Sequence, residues 1–292
     1  MTNQVKSRIQ IVFNYTEGKQ VKMLEFQDGG VLVEFNEELK ELVSDYTGTL
    51  AIEARIKCSN GLVALPSVVG LIRQLNPTVA VELYLPYLPH ARQDRFTTNL
   101  EKGIYNAFTF KHSVVPIINS CNFTAISVLE AHNPAMLSLF NSFTTSNIDL
   151  ISMLPWFEEL KDKVDIVVAP DAGAVKNSEK YAESFGVPLD TASKSRDPSN
   201  GFIVMKEVYG EDVKDKVVFI ADDIIEGGAT VMLLAKLLKE RGAKEVHVVV
   251  AHGLFTRGFE HLLEYIDHIY AFHSWVEVPE EFKGRVSVHE LF

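Results

Sequence analysis

The segment VVFIADDIIEGGAT, Val217–Thr230, decides the fold class of this chain. Its apolar start predicts a strand buried on both faces, and this strand runs into two adjacent acids, Asp222 and Asp223. A short turn with two glycines follows, and we expect a helix to open near Thr230. The amides of such a turn and helix start form an anion cradle, although an ordinary glycine turn between a strand and a helix fits the same residues.

The rest of the chain alternates short β-rich runs with helical stretches, which predicts an α/β fold with mainly parallel sheets flanked by helices. We expect strands at Leu50–Ile56, Val81–Tyr87, Thr124–Leu129, Val164–Ala169, Val217–Ala221 and Val246–Ala251. We expect helices at Pro66–Gln74, Pro134–Phe140, Val175–Phe185, Thr230–Arg241 and Phe259–Tyr265. Gly242 is expected to stop the fourth of these helices.

The pattern divides into two α/β halves, which we predict as an N-terminal domain of residues 1–145 and a C-terminal domain of residues 146–292. A chain of 292 residues has the length of two ordinary domains. Two polar segments, Phe96–Gly103 and Thr191–Gly201, are predicted to be mobile loops.

The composition argues against several function classes. Of the residues, 47% are hydrophobic, yet no apolar run approaches the ~20 residues that span a bilayer. The formal net charge of -11 disfavours nucleic acid as the main partner. The two cysteines, Cys58 and Cys121, supply neither a disulfide framework nor a zinc site, so we expect a cytoplasmic protein without a membrane partner.

A second chemical signal is YLPYLPHARQDR, Tyr84–Arg95, where a predicted strand ends in a charged cluster. Arg92 and Arg95 suit phosphate oxygens, which a guanidinium binds through two hydrogen bonds, and Gln93 suits a nucleobase edge. A solvated charge cluster after a strand is the structural alternative.

Three further segments carry polar side chains that suit a metal–nucleotide complex. In VLEAH, His132 follows a strand and suits a metal-bound nucleotide, directly or through water. Asp171, which follows a buried strand in VVAPDAGAVK, suits Mg²⁺ or a ribose hydroxyl. In SKSRD, Lys194 and Arg196 supply two cations that can close over a phosphate. The structural alternatives are a histidine with its hydrogen bonds satisfied for His132, a helix N-cap for Asp171, and a solvated loop for Lys194 and Arg196.

Taken in this order, the five segments resemble the ribose-phosphate diphosphokinases, also called phosphoribosyl pyrophosphate synthetases. The motifs that carry the resemblance are ARQDR at Ala91–Arg95, PDAG at Pro170–Gly173 and the acid pair with its glycine turn at Asp222–Thr230. The resemblance implies two tandem phosphoribosyltransferase-like domains with the active site between them and near a subunit interface. It therefore implies a homo-oligomer, either a dimer or a hexamer built of dimers.

The resemblance also implies a role for each motif. The ATP-binding positions are Phe26, Asp28, Arg92, Gln93 and Asp94, of which the first two hold the adenine from a neighbouring subunit. The positions that bind the Mg²⁺ of Mg-ATP are His132 and Asp171, and the catalytic positions are Lys194, Arg196 and His132. The sugar-phosphate positions are Asp222, Asp223, Glu226, Gly227, Gly228, Ala229 and Thr230. In the implied reaction, the C1 hydroxyl of ribose 5-phosphate attacks the β-phosphorus of Mg-ATP and AMP leaves.

The chain departs from the usual family pattern at several of these positions. An acid is usual where Gly30 stands, Asp-Leu-His is usual where this chain has Glu130, Ala131 and His132, and the loop after Arg95 also differs. The largest departure is EGGAT, where the family usually has Asp-Thr-(small)-Gly-Thr.

Gly227 therefore replaces a threonine beside the expected 5-phosphate. The missing side chain opens space for a substituted phosphate, as in ADP-ribose. Phage-encoded relatives with divergent loops of this sort are associated with NAD regeneration, and the chain resembles these short, divergent versions. ADP-ribose is therefore an alternative acceptor for the same chemistry.

Two further function classes fit parts of the sequence. A non-catalytic regulatory homologue would bind nucleotide and partners, but the presence of His132, Lys194 and Arg196 argues against it. A phosphoribosyltransferase that consumes the diphosphate product is compatible with Asp222–Thr230 alone. The ARQDR segment and the chain length argue against that class.

Overall fold

The computed structural model describes residues 9–14, 21–99, 103–145, 151, 155–196 and 203–289. The chain divides into two compact units, Met1–Ile148 and Asp149–Phe292, and each unit contains a buried apolar core. Both units are built on a mainly parallel sheet with helices, so the predicted α/β fold class is confirmed.

The first unit contains a five-stranded sheet in which every neighbouring pair is parallel. In chain order along the unit, the strands are β1 (Ile9–Asn14), β2 (Val21–Glu25), β3 (Val31–Phe35), β4 (Thr49–Arg55), β5 (Ala80–Leu85), β6 (Thr97–Asn99), β7 (Ile104–Asn106), β8 (Ala125–Val128) and β9 (Phe143–Thr145). The parallel sheet has the order β1-β4-β5-β8-β9, while β2 with β3 and β6 with β7 form two separate antiparallel pairs. The helices are α1 (Glu37–Ser44), α2 (Ser59–Leu75) and α3 (Val115–Ser120).

Helix α2 begins earlier than the sequence predicts. The prediction placed the first residue of this helix at Pro66. In the structure the helix begins at Ser59 and Pro66 lies inside it. Leu62, Leu65 and Val69 are buried at helical spacing, so packing of this face outweighs the hydrogen bond that the proline removes.

The second unit contains a seven-stranded sheet. Its strands are β10 (Ile166–Ala169), β11 (Leu189–Arg196), β12 (Ile203–Tyr209), β13 (Val217–Ile225), β14 (Glu245–Gly253), β15 (His268–Ser274) and β16 (Val286–Val288). They lie in the order β12-β11-β10-β13-β14-β15-β16, and only the pair of β11 with β12 is antiparallel among these strands. The helices are α4 (Phe157–Lys161), α5 (Val175–Phe185), α6 (Ala229–Glu240) and α7 (Glu260–Leu263).

Helices α5 and α6 and the centre of the sheet lie close to the predicted positions. Strand β13 has fully buried Val218, Phe219 and Ile220, which identifies it as a central strand covered on both faces. Helix α6 ends one residue before the prediction, and Gly242 follows it with a φ of 87°. Two predicted helices are reduced: Pro134–Leu139 is a 3-10 turn without a buried side chain, and α7 has only four residues.

Both segments predicted to be mobile loops contain strands. Thr97–Asn99 pairs with Ile104–Asn106, and Leu189–Arg196 pairs with β10 on one side and with β12 on the other. Sequence patterning missed these strands because their residues are mostly polar and their pairing partners lie outside the segment. Residues 100–102 and 197–202 lie outside the described part of the chain. None of the described helices is long and apolar enough to cross a bilayer.

Candidate active site

In the first unit, the structure joins the ARQDR segment to the loop that contains His132. Strands β5 and β8 are parallel neighbours, with Leu85 opposite Val128, so the loops after them leave the same edge of the sheet. Asn133 Nδ2 donates to Asp94 Oδ2 at 2.7 Å. The Asp94 side chain is only 10% exposed, so its carboxylate stabilises the contact between the two loops.

The neighbouring side chains of these loops face outward. Arg92, Gln93 and His132 are exposed. Gln93 is held by two hydrogen bonds to His90: its amide donates to the His90 carbonyl at 2.9 Å, and its Oε1 accepts from His90 Nδ1 at 3.2 Å. Arg95 is 78% exposed and its Nε lies 3.7 Å from Asp94 Oδ1, so it forms an exposed ion pair.

Phe26 and Asp28 lie on a different part of this unit, in the turn between β2 and β3. Phe26 is 57% exposed, and its amide donates to the Gly30 carbonyl at 2.9 Å. Asp28 Oδ1 accepts from the Gly30 amide at 2.9 Å, so the carboxylate closes the turn. A Cβ atom at position 30 would lie 3.0 Å from Asp28 Oδ1, which explains how glycine replaces the usual acid there.

In the second unit, Asp171 and Lys194 form an ion pair at the carboxyl ends of β10 and β11. The loop after β10 fixes the carboxylate, because Asp171 Oδ1 accepts from the amides of Gly173 at 2.7 Å and Ala174 at 3.2 Å. The N-cap of α5 is Ala174, so Asp171 closes the preceding turn and is not the helix cap. Partial burial raises the pKa of Asp171, but the Lys194 ammonium and the two amides outweigh it and lower the pKa overall.

The strand that carries Asp222 and Asp223 is longer than predicted. It extends from Val217 to Ile225, so the two acids lie within the strand and are not the residues that end it. Pairing with β14 continues past the acids, with Ile224 opposite His252. Burial raises the pKa of Asp222 well above its usual value, and the charges of Asp223 and Asp171 raise it further. The three carboxylates therefore form one electrostatic group.

The expected phosphate loop lies between β13 and α6. Gly228 is the N-cap of α6 with a φ of 74°, and α6 begins at Ala229, with Thr230 second. Glycine is required at position 228, because a Cβ atom there would overlap Leu262 Cδ2 as well as strain the backbone. Glu226 is exposed, and its carbonyl accepts from the Thr256 amide at 3.0 Å.

The segment after β14 also contacts this loop, which sequence patterning missed. His261 Nε2 donates to the Gly227 carbonyl at 2.9 Å. A Cβ atom at position 227 would lie 3.2 Å from Arg257 Cδ, so the stem of Arg257 fills the space beside the glycine. The sequence predicted both β13 and β14, but it did not specify which side chains of the segments that follow them would be in contact.

Arg196 is the last residue of β11, and its backbone lies opposite Ile203. The structure thus places Lys194 in β11, Asp222 and Asp223 in β13, and Asp171 and residues 226–230 at or beyond strand ends of the second unit. Arg92, Gln93, Asp94 and His132 lie together in the first unit. Within the described ranges, no group of three or more His, Cys, Asp or Glu side chains is arranged as a metal site.

The donors nevertheless fit Mg²⁺ that arrives with a nucleotide. Proteins usually hold Mg²⁺ through one or two carboxylates, with phosphate and water oxygens completing the shell. Asp171 supplies such a carboxylate, since its side chain is 29% exposed. His132 supplies a ring nitrogen, which suits a water-mediated contact to this hard cation better than a direct bond.

Comparison with known proteins identifies relatives of this chain. Residues 153–271 match the family model of the phosphoribosyl transferase domain. A ribose-phosphate pyrophosphokinase from Pyrococcus abyssi is 32% identical over 181 residues, which is 61% of this chain and 59% of the relative. One from Mycoplasma genitalium is 30% identical over 253 residues, 85% of this chain and 70% of the relative.

A solved structure shows the same fold over almost the whole chain. The phosphoribosylpyrophosphate synthetase from Mycobacterium smegmatis matches with a TM-score of 0.76 at 21% identity, covering 97% of this chain and 94% of that one. The matched part spans less than two thirds of some relatives, such as 52% of the ribose-phosphate pyrophosphokinase from Ureaplasma parvum. The identity and coverage of the Mycoplasma genitalium match show that the chain belongs to the ribose-phosphate pyrophosphokinase family.

Proposed function

We propose that this chain is a diphosphotransferase that moves the diphosphoryl group of Mg-ATP to the C1 hydroxyl of ribose 5-phosphate. The products are phosphoribosyl pyrophosphate and AMP. The observation that carries the proposal is the set of groups on one sheet of the second unit: a lysine–aspartate pair, two further acids and a glycine turn at a helix start. This set suits a sugar phosphate together with the phosphates of a nucleotide.

The acceptor is proposed to bind at β13 and at the loop that follows it. Carboxylates accept hydrogen bonds from sugar hydroxyls, so Asp222 and Asp223 suit the ribose hydroxyls. Burial and the charge of Asp223 raise the pKa of Asp222, so the two acids of this pair interact electrostatically. The amides of Gly227 to Thr230, at the N-terminus of the twelve-residue helix α6, suit the 5-phosphate.

The residues proposed to contact the nucleotide are described for each unit separately. Arg92, Gln93 and Asp94 contact ATP from the first unit, and Phe26 and Asp28 contact the adenine of a nucleotide on a neighbouring subunit. Mg²⁺ held with ATP would neutralise phosphate charge, with His132 and Asp171 as the residues that hold it. Phe26 supports this assignment because an aromatic ring that is 57% exposed is available to stack on a base.

Catalysis is proposed to rest on positioning and charge neutralisation. The oxygen of the C1 hydroxyl forms a bond to the β-phosphorus and its proton passes to water, while the bond from that phosphorus to the α-phosphate oxygen breaks and AMP leaves with that oxygen. We expect Lys194 to exchange its carboxylate partner for a phosphate oxygen when nucleotide is bound. Lys194 and Arg196 then balance the negative charge that moves to the leaving group.

ADP-ribose is the alternative acceptor for the same chemistry, giving ADP-ribose pyrophosphate for NAD regeneration. The sequence suggests it because glycine replaces a larger residue at position 227, but the expected open space is not found there, since the stem of Arg257 fills it. ADP-ribose therefore stays an alternative on the sequence departure alone. A non-catalytic regulatory homologue and a phosphoribosyltransferase remain the candidates from other function classes.

The test is formation of AMP by the purified protein with Mg-ATP and each acceptor offered separately. We expect AMP and a diphosphorylated sugar, identified by mass spectrometry, with ribose 5-phosphate or with ADP-ribose, and none with ribose. Absence of AMP with both phosphorylated acceptors would overturn the proposal. Consumption of phosphoribosyl pyrophosphate with a base and no ATP would favour a phosphoribosyltransferase instead.

The proposal includes a homo-oligomer, a dimer or a hexamer built of dimers, in the cytoplasm. The position of Phe26 at an exposed hairpin turn supports an adenine contact between subunits. Two unpaired cysteines fit a reducing compartment. Light scattering of the purified protein tests the assembly, and a monomer at micromolar concentration would contradict it.

A further inference from the structure

Gly227 is not required by its backbone conformation. Unlike Gly228, it has no left-handed φ, so an ordinary residue can adopt its conformation. What a side chain would meet is Arg257, because a Cβ atom at position 227 would lie 3.2 Å from Arg257 Cδ and 3.7 Å from its Cγ. The glycine therefore makes room for the aliphatic stem of the arginine.

The backbone that carries Arg257 is fixed to the phosphate loop. The Leu254 amide donates to the Ile225 carbonyl at 2.7 Å, and the Thr256 amide donates to the Glu226 carbonyl at 3.0 Å. Arg257 is the next residue along the chain. These bonds hold the start of the arginine side chain beside residues 226–228 and aim its stem across Gly227.

The guanidinium of Arg257 is available to a ligand. The side chain belongs to an exposed residue, and within the described part of the chain it forms no hydrogen bond or ion pair. The stem of this side chain lies beside Gly227, in the loop before α6, and a guanidinium with unused donors can add a positive charge to an anion cradle.

We propose that Arg257 binds the phosphoryl group on the 5′ carbon of the acceptor ribose, and that Gly227 is the residue that gives it access. This inference rests on the proposed function, since it assigns a further residue to the same acceptor site. The anion recognised is a phosphoryl group in either case. It is a monoester in ribose 5-phosphate and the first phosphate of a diphosphate in ADP-ribose.

The direct test replaces Arg257 by methionine, which keeps an unbranched stem against Gly227 and removes the charge. With the acceptor that the wild type uses, we expect Arg257→Met to raise the acceptor KM by at least about tenfold and to leave the KM for Mg-ATP within about twofold. Arg257→Lys should recover part of the loss. The matched control is Lys214→Met. Lys214 is an exposed residue in the loop before β13, and its stem also lies against a glycine, Gly242.

The results separate this inference from the function on which it rests. An unchanged acceptor KM in Arg257→Met, with active wild-type enzyme, would overturn the role of Arg257 and leave the proposed function intact. Inactive wild-type protein with both acceptors would overturn the proposed function itself. Measuring both acceptors also shows which phosphoryl group the guanidinium serves, because only the acceptor bound through Arg257 loses affinity. Thermal unfolding of each variant verifies that it is folded.

A second comparison tests the relation between the two residues. Gly227→Ala adds a Cβ atom that displaces the Arg257 stem without supplying a hydrogen-bond donor. We expect it to raise the acceptor KM severalfold in the wild-type background and to have little effect when Arg257 is already methionine. An equal fold-change in both backgrounds would overturn the claim that the glycine serves the arginine.

Discussion

Replacement of Lys194 by methionine tests the central charge of the proposed site. The lysine is paired with Asp171, and the two side chains are 32% and 29% exposed. An ion pair as exposed as this contributes about 1 kcal/mol or less to stability. We therefore expect the free energy of unfolding to fall by no more than about 1 kcal/mol, or roughly 2–4 °C in the melting temperature.

The effect on turnover should be larger than the effect on stability. A cation that balances charge in the transition state commonly contributes ~3 kcal/mol, which corresponds to about a hundredfold in rate. We expect kcat for AMP formation to fall by at least about tenfold. The Mg²⁺ concentration that gives the half-maximal rate should fall, because the variant has no ammonium that competes with Mg²⁺ for the Asp171 carboxylate.

The assay is AMP formation at saturating ATP and acceptor, with Mg²⁺ varied, beside thermal unfolding of the same samples. Lys180→Met, an exposed lysine on α5, is the matched control and should retain wild-type values. Wild-type turnover in Lys194→Met would refute the assigned role. A loss of stability of more than about 2 kcal/mol would show that the lysine is structural.

Three further expectations follow from the same structure. His132→Ala should raise the KM for Mg-ATP at least about tenfold, and an unchanged dependence of the rate on Mg-ATP would contradict its role. Gly228→Ala should lower the free energy of unfolding in urea by about 2 kcal/mol or more, because the residue has a left-handed φ and its Cβ would overlap Leu262; a loss below about 0.5 kcal/mol would argue against this account. Burial, the neighbouring His247 and Arg285 lower the pKa of His268 to about 4, so the folded protein favours the neutral ring. Stability should therefore be full above about pH 6.5 and decline towards pH 4, by about 1 kcal/mol at pH 5 after allowance for partial exposure; His268→Gln should decline less, and equal profiles would exclude His268 as the cause.

The predicted strands were found where burial makes a strand continuously apolar. Residues 217–221 and 246–251 lie in central strands covered on both faces, so both runs are apolar except for His247. Helix α5 was located to the residue, and Gly186 with a φ of 72° ends it. In these segments the local sequence pattern predicts the same strand or helix that burial in the fold stabilises.

The strands that were missed owe their existence to partners elsewhere in the chain. Strand β11, LDTASKSR, is polar, and only its pairing with β10 and β12 makes it a strand. Its register shifts between Ser193 and Lys194, and such an irregularity redirects a side chain. The predicted mobile loop was wrong over residues 191–196, because these residues pair with β12, and Thr191 also pairs with β10.

The chemistry of the candidate site divides in the same way. Residue type and order alone single out the motifs around Arg92, Asp171 and Asp222 as candidates, because arginine and carboxylate groups suit anions and metal ions. Arg257 could not be identified, since thirty positions separate it from Gly227 and its proximity arises from hydrogen bonds between the segments that follow β13 and β14. Residue order thus specifies which chemical groups are available, while pairing between distant strands brings particular groups together. That pairing depends on backbone hydrogen bonds between strands, and a local sequence pattern does not determine which strands pair.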